Sequence, residues 1–440
     1  MIATEIETYQ DQHAALDRET APTWLVDLQN RGLETFTSLG MPTTRLEDWR
    51  FTNVASYSKL PFLVAAVTDP GTEVDQASEL AEQAGLDESF HRLVFVNGRY
   101  CPKLSHAHAT PAGETVTNLA SVIADSSNPA PQQIAGDLQF DDSAFVALNT
   151  AFMHDGAFVD VPDGVELDRP VHLIFVSIGK DRTASYPRNQ IRLGNGSKAQ
   201  VIETYVGEGD TYFTNAVTQA RLGEKACLDH YKLQEEQPGT LHIATTDVDQ
   251  KTNSEFRSHY FSFGASLARN ELNCLLDGEH IETTLNGLYM PTGDQLMDCR
   301  TQIDHAKPNC NSYEVYKGIL DDKAKGVFNG KIFVREDAQK TDAKQSNQGL
   351  LLSDDATLNT KPQLEIYADD VKCTHGATIG ELEEDAMYYL RARGIPAELA
   401  RQILIFAFAN DVVQGVELPA VRRRLESLLL AGHELTEDIL

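Results

Sequence analysis

Residues 320–370 read LDDKAKGVFNGKIFVREDAQKTDAKQSNQGLLLSDDATLNTKPQLEIYADD, in which short β-rich runs alternate with tight acidic turns. The turns recur at a fixed distance. Asp322 and Asp355 are 33 residues apart, and so are Asp337 and Asp370. Aspartate suits such corners because it tolerates left-handed backbone geometry or hydrogen-bonds its own backbone. A repeat of short strands and corner turns is typical of a stacked solenoid, in which each coil buries its inner side chains against its neighbours.

The same texture extends over residues 140–376. Its β-rich runs include Val171–Val176, Ala199–Val206 and Gly330–Val334. No long amphipathic helix interrupts these runs, which argues against a sheet built from βαβ units. We therefore expect a mainly β core with solenoid architecture, and an antiparallel sandwich or jelly roll is the alternative fold.

Both ends of the chain have helical patterns. Between Leu25 and Phe36 apolar residues fall three to five positions apart, and Gly40 then provides a stop signal. After the β region we expect three helices, at about 381–393, 396–410 and 419–430. The second is apolar on more than one face, which favours burial in its own helical bundle, with docking of a partner as the alternative.

These patterns predict three domains. Residues 1–135 form a helical and mixed N-terminal domain, residues 136–378 the β core, and residues 379–440 a C-terminal helical domain. Within the first domain, an apolar run that ends at Asn97 and Gly98 predicts a strand followed by a tight hairpin turn.

Composition excludes two classes of function. The chain carries 66 acidic and 37 basic residues, a formal charge of −29, so phosphate backbones would be repelled and nucleic-acid binding is disfavoured. No run of about 18 apolar residues is present that could span a membrane. The start of the chain, Met1–Glu7, lacks the basic and apolar regions of a secretory signal, so we expect a cytosolic protein.

Few residues offer reactive chemistry. The six cysteines are scattered without a C-x-x-C pair, and no zinc-finger spacing occurs. Adjacent carboxylates such as Asp354 and Asp355 could serve a carbohydrate-active β-helix enzyme. They are better explained as solvated corner residues, because neighbouring side chains of an extended chain point in opposite directions.

Cys373-Thr374-His375 is the one candidate site. Residues two positions apart on a strand share a face, which would place the Cys373 thiol and the His375 imidazole about 7 Å apart. Such a pair could bind a soft metal or move protons. The segment lies at the end of the solenoid, where a cap or another subunit must cover the last coil.

Six longer segments are distinctive in sequence. They are Phe328–Val334, Asp337–Ala343, Leu350–Asp354, Thr360–Thr378, Tyr389–Ile395 and, near the N-terminus, Arg45–Thr52. Together they closely resemble the SufB/SufD family of iron–sulfur cluster assembly proteins. The resemblance therefore spans nearly the whole chain.

Two positions separate the SufB type from the SufD type. SufB-like chains carry an H-E-A-T version of the terminal motif and a scaffold cysteine about 28 residues before its histidine. Here residue 376 is glycine and the cysteine position is Asn347. The pattern resembles the SufD type, and a SufB-type cluster scaffold remains the alternative.

The resemblance implies a right-handed parallel β-helix between helical ends, and a subunit without turnover of its own. It implies pairing with a SufB-like chain through the β-helix end, and binding of a SufC-like ATPase through the C-terminal helices. His375, with Cys373 as the weaker candidate, would face the SufB–SufD interface as an iron or cluster residue. The iron or cluster would be transient, reduced flavin can accompany the complex, and the isolated chain could form a homodimer.

Overall fold

Two parallel sheets wind along the chain as a solenoid in the computed structural model, which describes residues 2–58, 62–65, 71–179 and 182–430. The first sheet contains β4 (Thr115–Asn118), β5 (Ala157–Val161), β8 (Arg188–Leu193), β10 (Phe213–Leu222), β12 (Leu241–Gln250), β14 (Leu267–Leu276), β16 (Leu296–His305), β18 (Lys325–Val334) and β20 (Thr357–Ile366), with β1 (Leu63–Val64) and β7 (Thr183–Ser185) beside β10. The second contains β2 (His91–Val96), β3 (Arg99–Tyr100), β6 (Val171–Gly179), β9 (Lys198–Gly209), β11 (Cys227–Gln234), β13 (Glu255–Ser262), β15 (Glu282–Tyr289), β17 (Asn311–Leu320), β19 (Asp342–Leu351) and β21 (Lys372–Gly380).

The helices lie at the two ends of the chain. They are α1 (Ile2–Ala14), α2 (Thr23–Leu39), α3 (Ala55–Ser58), α4 (Gly71–Ala84), α5 (Leu119–Ala124), α6 (Ala130–Asp137), α7 (Ala144–Phe152), α8 (Glu384–Arg391), α9 (Ala397–Val413) and α10 (Pro419–Leu430), with a short 3-10 helix at Glu47–Trp49. The three predicted C-terminal helices are confirmed up to residue 430. Residues 431–440 of the predicted domain lie outside the described residues.

Successive coils pair in parallel and in register. Leu241 pairs with Leu267, and Lys325 pairs with Thr357, so one coil takes 26 to 32 residues. From β5 and β6 onward, eight strands of each sheet stack in this way. The predicted solenoid is confirmed and the sandwich alternative is wrong, because antiparallel pairing joins only β2 to β3 and β4 to β5 among the described strands.

The N-terminal region contributes strands to both sheets. The predicted hairpin is present, since β2 and β3 pair across Asn97 and Gly98, which have φ of 49° and 78°. β2 also pairs with β6, and β4 pairs with β5, so residues 91–118 extend the sheets of the predicted core. α7 then precedes β5.

Helices from both ends cover the outer faces of the solenoid. Phe36 of α2 and Phe145 of α7 pack with Phe213 on the outer face of the first sheet. Trp49 lies between the Phe145 ring, at a centroid distance of 5.3 Å, and the Arg269 guanidinium, at 3.7 Å. The N-terminal segment is therefore fixed across the first sheet.

The C-terminal helices cover the second sheet. Val412 and Val413 of α9 are buried against outward side chains of that sheet such as Leu288 and Ile319. Lys317 donates hydrogen bonds to the Asp411 carboxylate at 2.7 Å and to the Phe408 carbonyl at 2.9 Å. α9 also contacts α8 and α10, so it packs against the other C-terminal helices, as expected, and in addition on the second sheet of the solenoid.

The last coil is left uncovered. Among the described strands, β20 pairs only with β18 and β21 only with β19, so each has a free edge. Ile366, Tyr367 and Ile379 are exposed on this coil, with Tyr367 at 60% exposure. Among the described helices, none has the length and apolar character that a bilayer span requires.

Tyrosine rings fill the interior between the sheets, which we call the lumen, at two positions where the neighbouring strand has glycine. A methyl group at Gly287 would lie 2.2 Å from the Tyr316 ring, and one at Gly318 would lie 2.5 Å from the Tyr289 ring. Both rings are fully buried. Glycine is required here because close-packed interiors cannot absorb an added methyl group without displacing their neighbours.

We expect Gly287→Ala to lower the free energy of unfolding by about 1–3 kcal/mol, the usual cost of overpacking a core. The urea midpoint, followed by circular dichroism, measures the change. Gly376→Ala is the control, because nothing lies within 4 Å of the added methyl group. Equal midpoints for the two variants would show that the Tyr316 ring moves aside freely.

Candidate functional site at the last coil

Strand β21 carries both predicted site residues and places them on one face. Cys373 is in register with Ala343 and His375 with Gln345 on β19. Ala343 and Gln345 are buried in the lumen, and register in a parallel pair preserves the facing of side chains. Cys373 and His375 therefore lie on the lumenal face of the last coil.

His375 is exposed because no further coil stacks on β21. Its imidazole makes no hydrogen bond or ion pair with any residue in the described part of the chain. Both ring nitrogens are therefore free to bind a ligand or to form a hydrogen bond with another molecule.

Cys373 is held in a different environment. Its half-buried side chain packs against a small apolar cluster that includes Ile332, Ala343 and Ala368. Burial raises the pKa of the Cys373 thiol, and the nearby Asp342 carboxylate adds to this effect. A thiol with a raised pKa supplies less thiolate, so Cys373 is the weaker metal ligand of the two.

A buried amide–carboxyl pair lies beneath His375. Gln345 on β19 and Glu314 on β17 occupy the same row of the lumen as His375, one and two coils inward. The Gln345 amide nitrogen donates a hydrogen bond of 2.7 Å to the Glu314 carboxyl. Gly330 of the opposite sheet leaves room for this amide, because a methyl group there would lie 2.1 Å from its nitrogen.

Glu314 is a fully buried carboxyl near the site. Burial raises its pKa to about 7, although its contacts with Thr301 and Gln345 oppose the shift. Cys299 and Tyr316 also face it, and burial raises the pKa of each. Glu314 therefore changes its charge near neutral pH inside a closed lumen.

The two positions that distinguish the SufB type lie beside this row. Asn347 is buried one coil inward, two residues from Gln345, and its amide nitrogen donates to the Tyr316 carbonyl at 3.1 Å. Gly376 is exposed on β21, next to His375 but on the opposite face of the strand. A thiol at 347 would thus lie in the lumen, and a carboxylate at 376 would project outward.

The carboxylates at the turns have corner roles. Asp321 accepts a hydrogen bond of 2.8 Å from Arg401 of α9, and Asp322 accepts one of 3.0 Å from the Gly293 backbone in the preceding coil. Asp322 itself has φ of 54°. These contacts support the interpretation of the acidic pairs as corner residues.

Sequence reasoning missed the charged groups in the middle of the lumen. Glu203 accepts a hydrogen bond of 3.1 Å from His230, and Lys232 donates one of 3.0 Å to Asn270. Burial alone would raise the pKa of Glu203, but the bond and charge of His230 and the charge of Lys232 lower it to about 2. Burial lowers the pKa of Lys232 to about 8.

These interior charged residues lie in sequence segments that contain other polar residues, so no sequence signal marks them as buried. The spacing of Gln345 and Glu314 from His375 follows coil length, and only the register of the strands reveals their alignment.

Nowhere in residues 2–58, 62–65, 71–179 and 182–430 do three His, Cys, Asp or Glu side chains group closely enough to hold a metal ion.

Two profiles of one protein family match most of the chain. The profile of the SUF system FeS cluster assembly SufBD core domain matches residues 175–408, and that of the SufBD protein N-terminal region matches residues 3–173. An iron–sulfur cluster assembly SufBD family protein of Synechocystis sp. is 32% identical over 435 residues, 96% of this chain and 94% of the relative.

Two relatives carry the name SufD. Iron–sulfur cluster assembly protein SufD of Escherichia coli is 33% identical over 390 residues, 88% of each chain. The protein of the same name from Bacillus subtilis is 25% identical over 433 residues, 94% of this chain and 95% of the relative.

We expect Glu314→Gln to change how stability depends on pH. The Glu314 pKa is about 7 in the folded chain and 4.5 ordinarily, so the folded state holds the proton more tightly. The tighter proton binding by Glu314 stabilises the folded state fully below pH 4.5, and this stabilisation is lost as pH rises through 7. At about 1.4 kcal/mol per pKa unit, the full difference is on the order of 3 kcal/mol.

Urea midpoints of the wild type and the variant, measured from pH 5 to pH 8.5, provide the test. The wild type should lose stability relative to Glu314→Gln across this range. Glu336→Gln, at an exposed corner, is the control and should follow the wild type. Parallel curves for all three proteins would mean that Glu314 is ionised and solvated in the folded chain.

Proposed function

Because the chain belongs to the SufBD family of iron–sulfur cluster assembly proteins, we propose that it acts as the SufD-type subunit of an assembly complex. In this role it pairs with a SufB-like chain, binds a SufC-like ATPase and supports delivery of iron and cluster formation at the interface. The observation that carries the proposal is the open last coil, which presents His375 beside free strand edges.

The last coil is the surface proposed for the SufB-like partner. β20 and β21 each have an unpaired edge, and exposed strand edges readily pair with another chain. Ile366, Tyr367 and Ile379 add exposed apolar area to those edges. In the absence of the partner, the same surface could pair with a second copy of this chain, because an isologous contact uses one patch twice.

Iron or a nascent cluster is the proposed cargo at this interface. His375 would supply one ligand, with Cys373 as the weaker candidate, and the SufB-like chain would supply the others. Asn347 and Gly376 support this division, because this chain lacks a thiol and a carboxylate at those positions. Any bound cluster would be transient, and reduced flavin would belong to the assembled complex.

The C-terminal helices are proposed to bind the ATPase. Tyr388 on α8 is 76% exposed, and the neighbouring Tyr389 is also exposed, with the Arg393 guanidinium 3.3 Å from its ring centroid. α9 and α10 bury part of their apolar surface in the cluster on the second sheet, whereas the two tyrosines of α8 are exposed. Exposed aromatic and arginine side chains are favoured at protein interfaces.

The proposed role assigns no turnover to this chain, and ATP hydrolysis belongs to the ATPase. All six cysteines are unpaired, which fits a reducing compartment and supports a cytosolic location. A SufB-type scaffold is the second candidate, but Asn347 and Gly376 count against it. A carbohydrate-active enzyme is disfavoured by the corner contacts of Asp321 and Asp322.

We expect His375→Ala to leave folding intact and to impair cluster assembly in the complex, because an exposed side chain without internal contacts contributes little to stability. Urea unfolding checks the first expectation, and maturation of an iron–sulfur enzyme in cells checks the second. Cys373→Ala is the comparison and should have the smaller effect on maturation. Full enzyme maturation with His375→Ala would rule out the proposed site.

We expect Tyr388→Asp to abolish co-purification of the ATPase while the SufB-like chain is retained. Deletion of residues 381–440 should have the same result, but it also uncovers the apolar outer face of the second sheet. Tyr367→Asp, a matched change on the last coil, should instead weaken pairing with the SufB-like chain. Retention of the ATPase by Tyr388→Asp would show that the ATPase binds another surface of this chain.

A further inference from the structure

One row of lumenal side chains ends at His375 and is polar over its last three coils. Strand register aligns Glu314 on β17 with Gln345 on β19, and Gln345 with His375 on β21. The next member inward is Leu285 on β15. In-register stacking keeps successive members about 4.8 Å apart along the row. The row is therefore a short polar column that is closed inside and open at the last coil.

Gln345 has one end fixed and one end free. Its amide nitrogen donates to Glu314 at 2.7 Å, while its amide oxygen is buried and has no hydrogen-bond partner. The side chain as a whole is 3% exposed. A buried carbonyl oxygen without a partner is unfavourable, on the order of 1–3 kcal/mol, so a donor that reaches it is stabilised.

The surrounding residues fix the orientation of this amide. Gly330 on the opposite sheet leaves the space that the amide nitrogen fills. Glu314 is itself fully buried and accepts from the nitrogen, whereas an amide turned the other way would direct its oxygen at the Glu314 carboxyl. The amide oxygen is therefore the end left available to the last coil, where His375 is the register partner.

We propose that Gln345, oriented by Glu314, is a positioning residue for His375 and accepts a hydrogen bond from its imidazole through the free amide oxygen. The proposal rests on the proposed function of His375. Metal-ligating histidines usually donate their second ring N–H to a carbonyl or carboxylate, which fixes the tautomer and the ring orientation. Gln345 would hold the proton on the lumenal ring nitrogen and direct the other nitrogen toward the partner chain.

This arrangement gives the last coil a defined ligand before the partner binds. An exposed imidazole loses rotamer freedom when it binds a ligand, and the proposed hydrogen bond to Gln345 would reduce that loss. Asn347, the other polar lumenal residue on β19, is in register with Ala377 and so does not serve His375. Gln345 is therefore the residue beneath His375 that can orient it.

The tautomer of His375 in the full-length chain tests the proposal directly. We would label the histidines with ¹⁵N, assign His375 by its loss in His375→Ala, and record the ring nitrogen shifts at pH 8.5, where an ordinary imidazole is neutral. The wild type should show one dominant tautomer. Gln345→Met, which keeps the side-chain length but removes the acceptor, should show both.

Gln348→Met is the matched control, because Gln348 lies on the same strand but faces outward. It should give the wild-type tautomer. Two equally populated tautomers in the wild type would overturn the proposal. This outcome is decisive even if the Gln345→Met variant does not fold. An unchanged tautomer in a folded Gln345→Met variant would overturn it as well.

Cluster formation in the complex separates this inference from the proposed function. With ferrous iron and sulfide added to the complex of this chain with its partners, Gln345→Met should reduce cluster formation about 10–100-fold, the usual effect of losing such a contact. Gln348→Met should match the wild type. If Gln345→Met is normal while His375→Ala fails, the inference is wrong and the proposed function stands. If His375→Ala is normal, the proposed function fails, and the tautomer still decides whether Gln345 contacts His375.

Discussion

Backbone hydrogen bonding between successive coils, in register, is the interaction on which the rest of the structure depends. It stacks each side chain on the corresponding residue of the preceding coil, so a residue's surroundings are set by coil length as much as by its neighbours in sequence. Glycine at 287 and 318 follows from this stacking, because a tyrosine ring lies over each position. The column of Glu314, Gln345 and His375 follows from it too.

A stack of this kind must end, and its last coil lacks the partner that every other coil has. Helices from both ends of the chain cover the outer faces of the sheets, but within the described residues none covers the last coil. The lumenal face of that coil carries His375, and its free edges lie beside it. The architecture thus leaves a surface with unpaired backbone groups and an imidazole in the same place, which suits a site shared by two chains.

Much of this could be predicted from sequence, because local patterns decide it. The repeated acidic turns predicted the solenoid, the Asn97-Gly98 turn predicted the hairpin, and alternation placed Cys373 and His375 on one face. Packing between distant segments could not be predicted in this way. The apolar surface of α9 predicted packing against the neighbouring helices, but the helix pattern did not reveal that α9 also packs on the second sheet. Gln345 and Glu314 are polar residues in polar strands, so their burial depends on register that the sequence does not display.

We propose that the last coil joins this chain to a SufB-like partner around His375. A photo-cross-linking amino acid at position 379, where Ile379 is exposed on β21, tests it in the native host. Mass spectrometry of the cross-linked product would identify the neighbour. We expect a cross-link to a SufB-like chain at its corresponding last coil. Cross-links only to a second copy of this chain, or only to unrelated proteins, would contradict it.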